Sequence, residues 1–111
     1  MATEATGVTT VLTATPAALV TAGANESCVI TSVIAMNTDT TTRYVTLYQV
    51  PSAGSATASN QMTVQTVFRG QSTTVPVGAV VVSNGAALYA EADVTSVVNL
   101  SVNYYRSDQQ A

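Results

Sequence analysis

The sequence has 111 residues, enough for one domain with a single core, and only 8% of them are charged, against roughly a quarter in an average soluble domain. A net charge of −3 with only three basic residues excludes the basic patch that binding to a nucleic acid requires, and the absence of histidine removes the most common general base of enzymes. No apolar run approaches the roughly 20 residues that cross a bilayer, and residues 1–6 lack the regions of a signal peptide, so we expect synthesis in a cytosol and no membrane contact.

Short runs of alternating residues predict strands throughout the first half of the chain. They cover residues 8–14, 19–21, 28–37 and 43–50. The run at 28–37 is apolar on both faces, which predicts a central strand. Its two faces would be Cys28, Ile30, Ile34 and Met36, and Val29, Val33 and Ala35. Residues 37–41 favour hydrogen bonds to their own backbone, which predicts a loop that closes a hairpin.

The second half begins with an uncharged surface loop at residues 51–60 and continues with further strands. These strands cover residues 62–68, a short edge piece from residue 73, and residues 79–82, 86–93 and 98–105. In the first of them, Met62, Val64, Thr66 and Phe68 alternate with Thr63, Gln65 and Val67 as a half-buried strand does. Asn84-Gly85 tolerates the positive φ that both central residues of a type I′ turn need, so it predicts a hairpin.

The last two strands have the clearest faces. We expect Ala86, Leu88, Ala90 and Ala92 to face inward, and Val98, Leu100, Val102 and Tyr104 to share one side of the final strand. Together the pattern predicts an all-β fold, a two-sheet antiparallel sandwich of seven to nine short strands. A jelly roll is the first choice of connectivity and an immunoglobulin-like sandwich the second. The predicted domain covers residues 8–106, between a flexible N-terminal arm at 1–7 and a polar tail at 107–111.

The residues that could carry chemistry are few. Cys28 is the only cysteine and lies in an apolar run, so we expect it to be buried and unreactive. Glu91 and Asp93 would share one face of a strand at a spacing that also suits glycosidases or a calcium ion. Any carboxylates two residues apart in a strand meet that criterion, so we expect a solvated pair. The sequence predicts no enzyme, no catalytic residue, no metal and no cofactor.

The aromatic residues on predicted outward faces favour a role in assembly instead, because tyrosine is enriched in interface cores. Arg43 and Arg106 each adjoin a tyrosine and could stack on it or bind the carboxylate of a neighbouring subunit. With so few charges to desolvate, the surface also suits burial by other subunits. The candidate assembly interface is therefore Tyr44, Tyr48, Tyr89, Tyr105, Arg43 and Arg106, and the expected state is a homo-oligomer, a dimer or a trimer.

Two stretches carry a resemblance to a known group. The first is residues 29–38, an apolar strand that ends in Asn37-Thr38. The second is residues 80–105, in which Gly85-Ala86-Ala87-Leu88-Tyr89 is followed by the alternating strand at residues 97–104. In these features the chain resembles the small β-sandwich virion structural proteins of tailed bacteriophages, which decorate capsids or build necks and tails.

The resemblance implies a capsid decoration (cement) protein that stabilises the phage head through contacts with the major capsid protein. It would be synthesised in the host cytoplasm and lie on the capsid surface of the virion. The alternatives are a neck, tail or baseplate component and, from a different class, a carbohydrate-binding module for host attachment. The lack of tryptophan disfavours the carbohydrate-binding alternative.

Overall fold

The computed structural model describes residues 3–77 and 80–108, and this part of the chain folds into nine strands. They are β1 (Thr3–Val11), β2 (Ala17–Thr21), β3 (Glu26–Asn37), β4 (Arg43–Val50), β5 (Gln61–Val67), β6 (Ser72–Thr74), β7 (Val80–Ser83), β8 (Ala87–Ala92) and β9 (Val98–Asp108). A 3₁₀ turn, Ala58–Asn60, lies between β4 and β5. Within the described ranges, no helix has the length and apolar character to span a membrane. The all-β prediction and the predicted number of strands are confirmed.

The strands form two sheets in which every pairing is antiparallel. Sheet I has the order β1-β9-β3, with β6 and β7 both paired to the far side of β3, and sheet II has the order β2-β8-β4-β5. The pairs are therefore nested along the chain: β1 with β9, β2 with β8, β3 with β6 and β7, and β4 with β5. Successive pairs alternate between the sheets, which is the connectivity of a jelly roll with β6 and β7 sharing one strand position.

The core lies between the two sheets and consists mainly of valine, leucine and alanine. Fully burying one of the larger side chains contributes about 1.5–3 kcal/mol to folding. The largest of these side chains are Ile30, Leu47, Leu88, Leu100, Val20, Val33, Val45, Val50, Val67, Val75, Val82 and Val98. The predicted inward faces of β8 and β9 are confirmed: Leu88, Ala90 and Ala92 are buried, as are Val98, Leu100 and Val102, while Tyr104 packs against the core partly buried.

A bulge in β3 corrects the predicted faces of that strand. The register with β9 shifts between Ile30 and Ser32, so Thr31 is an extra residue without a counterpart. Because one extra residue reverses the alternation, the strand buries Cys28 and Ile30 before the bulge and Val33, Ala35 and Asn37 after it. The prediction that Ile34 would share a face with Cys28 was therefore wrong, and Ile34 is 41% exposed on the outside of sheet I.

Two turns that were predicted to close hairpins join the sheets instead. Asn84 and Gly85 have φ values of 52° and 89°, and the Ala86 N–H donates to the Ser83 carbonyl at 3.1 Å, so the predicted turn itself is confirmed. However, β7 belongs to sheet I and β8 to sheet II. The loop after β3 likewise leads from sheet I to sheet II. A turn signal fixes the local reversal of the chain, but the pairing partner is decided by the core.

Three further predictions are corrected. Residues 3–7, predicted to be a flexible arm, belong to β1, which pairs with β9 from Thr3↔Ser107 onward. The predicted polar tail begins inside β9, which ends at Asp108. Residues 1, 2 and 109–111 lie outside the described part of the chain. The predicted apolar face of residues 62–68 is split: Val64 and, just after β5, Phe68 are exposed, whereas Met62 packs against the core and Val67 is buried. Met62 is the extra residue at the register shift between β4 and β5, so the alternation changes face there.

Candidate assembly surfaces

The six residues of the predicted interface divide between the two sheets. Four of them, Arg43, Tyr44, Tyr48 and Tyr89, lie on adjacent strands of sheet II, where Tyr48 is the direct cross-strand partner of Tyr89. Tyr105 and Arg106 lie on β9 in sheet I. The structure therefore places the first four on one sheet, with Tyr48 beside Tyr89, but does not form one continuous site from all six.

Arg43 binds within its own chain. Its Nη2 lies 2.6 Å and its Nε 2.8 Å from Oδ2 of Asp39, and its Nη1 lies 3.6 Å from Oδ2 of Asp93. The hydrogen bond from Arg43 and that from the Thr40 N–H lower the pKa of the Asp39 carboxyl. Arg43 thus ties the loop after β3 to the end of β8, and this leaves it little capacity for a carboxylate of another subunit.

Arg106 is also committed to a contact inside the chain. Its Nη1 lies 2.6 Å from Oε1 of Glu26, and its guanidinium carbon lies 5.7 Å from the centroid of the Tyr104 ring. The same Oε1 accepts a hydrogen bond of 2.8 Å from the Gly23 N–H. The expected stacking on a tyrosine therefore occurs, but on Tyr104, on the inner side of β9, rather than on Tyr105.

The two carboxylates that were expected to be solvated face outward on sheet II, but both are hydrogen-bonded. Tyr48 donates its hydroxyl hydrogen to Glu91, and the Tyr44 N–H donates to Oδ1 of Asp93 at 3.1 Å. The hydrogen bond to Glu91, and secondarily burial, raise the pKa of Tyr48 to about 12. The carboxylates line a shallow depression of about 220 Å³ together with Tyr44 and Thr46. Among the described residues, no group of three or more acidic, cysteine or histidine side chains could hold a metal ion.

The outer face of sheet I has a different character, because no charged side chain points out of it among residues 5–77 and 80–107, whose side chains the structure describes. We call this surface the neutral face. It is formed by the side chains that alternate with the buried ones on β1, β9, β3, β6 and β7. They are Ala5, Thr9, Val11, Asn99, Ser101, Asn103, Tyr105, Val29, Thr31, Ser32, Ile34, Met36, Ser72, Thr74 and Val81.

An apolar row crosses the neutral face at right angles to its strands. The registers place Ala5 opposite Tyr105, Tyr105 opposite Val29, and Val29 opposite Val81. Tyr105 is 47% exposed, Val81 44% and Val29 37%. Four strands of sheet I thus contribute one adjacent exposed apolar residue each. Contiguous apolar surface of this kind marks an interaction site more often than scattered single residues do.

Several polar side chains of the neutral face have hydrogen-bond partners within the chain. Thr9 Oγ1 and Ser101 Oγ lie 3.1 Å apart, Thr31 donates to the Asn103 carbonyl at 2.9 Å, and the Asn103 amide donates to Ser32 Oγ at 3.0 Å. A Cβ at Gly7 would lie 2.8 Å from Oδ1 of Asn103, so the glycine makes room for this amide. Because these groups already have partners, covering them with another protein costs little desolvation free energy.

Sequence reasoning found Tyr105 but missed the other members of the apolar row. Val29 and Val81 were both assigned to strands, and the available signal was the absence of charge from residue 28 to residue 38. The apolar residues on both faces of this run predict a central strand, and that prediction does not say which of them is exposed. The register that aligns Val29 with Tyr105 and Val81 joins segments more than fifty residues apart in the sequence and has no local signature.

Comparisons with known proteins bear on the fold. No family model matches the chain, and no curated protein sequence matches it. Among solved structures, the chain is similar to one described as “Bacillus endospore appendages form a novel family of disulfide-linked pili”. The TM-score is 0.56 at 12% sequence identity, and the match covers 98% of this chain and 88% of the other. At this identity, the similarity establishes a shared fold.

Proposed function

We propose that this protein is a non-enzymatic structural subunit of a repetitive assembly and that it is buried there through the neutral face of sheet I. The observation that carries the proposal is the composition of that face: an exposed apolar row, several polar groups that already have partners within the chain, and no charged side chain among residues 5–77 and 80–107. Sheet II is the poorer interface, because Glu91 and Asp93 lie on its outer face and would have to be desolvated.

Within this class, the leading candidate is a decoration protein on the shell of a tailed bacteriophage, with the major capsid protein as its partner. The segments that resemble such virion proteins include β3, β7, β8 and β9, and all of these except β8 belong to sheet I, which carries the neutral face. A net contribution of even a few kcal/mol from each subunit, repeated over a lattice, would increase the resistance of the shell to heat and internal pressure.

A second candidate is a subunit of a surface appendage, and the structural similarity to the endospore pilus protein favours it. Cys28, the one cysteine of the sequence, is fully buried between the sheets, and burial raises the pKa of its thiol. A disulfide between subunits through Cys28 would require the strand to open. An appendage built from this chain would therefore be held together by noncovalent contacts.

Immunogold electron microscopy with antibodies against the purified protein tests the proposal. The antibodies are applied to virions and to cell-surface appendages from the culture that produces the protein. Regular labelling of capsids supports the decoration role, and labelling along fibres supports the second candidate. Protein found only in solution, attached to neither structure, would overturn the proposal.

Examining particles assembled without the protein distinguishes a decoration role from a neck, tail or baseplate role in the virion. We expect normal head geometry and release of the genome at a lower temperature than from complete particles. Tailless or misassembled particles would contradict the decoration role and favour the neck, tail or baseplate role.

A further inference from the structure

Strand β1 forms one edge of sheet I and is the longest edge strand of the described fold. Its nine residues pair with β9 without a single register shift. On the other side of β1 no strand is paired within the described part of the chain. An edge strand of this kind presents a row of backbone donors and acceptors that another chain can bind.

The geometry next to β1 shows which backbone groups are free. The Leu12 N–H donates to the Val98 carbonyl at 2.8 Å, in the same register as the pairs of β1 with β9. Because hydrogen-bonded and non-hydrogen-bonded pairs alternate in an antiparallel ladder, the even-numbered residues of β1 bond to β9. The backbone groups of Thr3, Ala5, Gly7, Thr9 and Val11 therefore point to the open edge.

The other three edges carry features that hinder the addition of a strand. In sheet II, β2 has five residues, follows Pro16 and contains a register shift. At the opposite edge, β5 also contains a register shift, and the carbonyls of Thr66 and Val67 accept side-chain amides. The far edge of sheet I is split into β6 and β7, of three and four residues. Bulges and short strands are the usual protection of sheet edges, and β1 has neither.

We propose that the open edge of β1 pairs with the same edge of a second copy of this chain, antiparallel and related by a twofold axis through Gly7. This inference deepens the proposed function by naming the contact between subunits. In the register of full overlap, Gly7 faces Gly7, Ala5 faces Thr9, and Thr3 faces Val11. These are all residues whose backbone groups point to the edge, so the pairing forms about ten backbone hydrogen bonds.

The chemistry of β1 suits a second copy of itself. Its one charged residue is Glu4, and the twofold register places Glu4 opposite Thr10 rather than opposite the other Glu4. Like charges directly across a ladder, which destabilise pairing, are therefore avoided. The pairing also joins the neutral faces of the two copies into one surface twice as large. A single added strand buries less than a standard interface does, so we expect a dimer with a dissociation constant in the micromolar range.

A proline substitution at position 5 tests the proposal. Ala5→Pro removes an N–H that points to the open edge and leaves the bonds to β9 in place, and proline is tolerated at such edge positions. Ala5→Ser is the matched control, because it keeps the N–H. Sedimentation velocity should show a reversible dimer for the wild type and for Ala5→Ser, and dimerisation at least tenfold weaker for Ala5→Pro. A wild type that stays monomeric, or an Ala5→Pro variant that dimerises equally well, would overturn the proposal.

Amide hydrogen exchange of the unmodified protein gives a second test that does not depend on the folding of a variant. Exchange at Gly7 and Thr9 should slow as the protein concentration rises, while exchange at Val8 and Thr10, bonded to β9, should not change with concentration. Equal rates for Gly7 and Thr9 at low and high concentration would refute the pairing. Either failure leaves the role of the neutral face intact, since the labelling of virions and appendages tests that role independently.

Discussion

Tyr48 on β4 and Glu91 on β8 are joined across sheet II by a hydrogen bond from the phenol to the carboxylate. Tyr48 is only 7% exposed, although its strand position marked it as a surface residue. Its hydroxyl therefore depends on Glu91 for a partner, and the contact links the two central strands of the sheet. Tyr48 thus stabilises the fold more than it offers a surface for another subunit.

The Tyr48 contact predicts a loss of stability at alkaline pH. The folded pKa is raised from the ordinary value of 10.0 to about 12, so folding favours the protonated phenol. The stabilisation is fully present below pH 10 and is lost as the pH rises toward about 12. We expect the melting temperature of the wild type to fall in this window more steeply than that of Tyr48→Phe, which has no phenol to ionise. Parallel curves for the two proteins would contradict the assignment.

Removal of the buried Asn37 side chain should lower the free energy of unfolding substantially. It is fully buried, its amide donates to the carbonyls of Thr41 and Val67 at 2.9 Å, and its Oδ1 accepts from the Asp39 N–H at 2.9 Å. Asn37→Ala leaves these backbone groups without partners, and we expect it to lower the free energy of unfolding by roughly 2–4 kcal/mol. The exposed control, Asn103→Ala, should cost less than about 1 kcal/mol. Urea unfolding measures the free energy of unfolding of both variants. Equal losses would show that the buried contacts of Asn37 stabilise the fold no more than those of an exposed asparagine.

Much of the fold was accessible from the sequence because strands β8 and β9 alternate without interruption. Leu88 and Leu100 could be placed in the core from local pattern alone. The faces of β3 could not, because the bulge at Thr31 exists only in the pairing with β9. The composition of residues 37–41 also correctly predicted that Asn37 hydrogen-bonds to the backbone of its own segment. Its bond to Val67 joins residues thirty positions apart, so no local pattern could predict it.

The sequence predicts that the protein has a surface suited to assembly, but it predicts only part of the residues that form this surface. Low charge indicated a surface that other proteins cover, and Tyr105 was among the residues chosen. Arg43 and Arg106 were chosen for the same surface, but their partners Asp39 and Glu26 come from loop and strand contacts that no spacing rule gives. The apolar row is set by the register of four strands and so becomes visible only in three dimensions.

Two glycines with positive φ predict different costs for the same substitution. Gly70 has a φ of 66° and open space where a Cβ would lie, whereas a Cβ at Gly85 would lie 2.7 Å from Oγ of Ser52. Gly70→Ala should cost about 1 kcal/mol from backbone strain, and Gly85→Ala should cost more. Ser52→Gly should recover part of the extra loss in the Gly85→Ala background and little in the Gly70→Ala background. Equal recovery in both backgrounds, by thermal unfolding, would argue against the contact.

Cys28 predicts slow reaction with thiol reagents in the native protein. Burial raises the pKa of the thiol, so little thiolate is present at neutral pH, and the side chain has no exposed surface. Labelling should become fast in denaturant. Val29→Cys in a Cys28→Ala background moves the thiol to the neutral face and should label fast without denaturant. Equally fast labelling of native Cys28 would mean that β3 opens readily or that its register is wrong.

Hydroxyl-radical footprinting of Tyr105 and Tyr44 tests the neutral face most directly. In the isolated chain the two tyrosines are almost equally exposed, at 47% and 49%, but Tyr105 lies on the neutral face and Tyr44 on the outer face of sheet II. Each therefore serves as the control for the other when the isolated protein is compared with the protein in its purified assembly. We predict that oxidation of Tyr105 falls several-fold on assembly while oxidation of Tyr44 is unchanged. Protection of Tyr44 with Tyr105 still reactive, or protection of neither, would contradict burial through the neutral face.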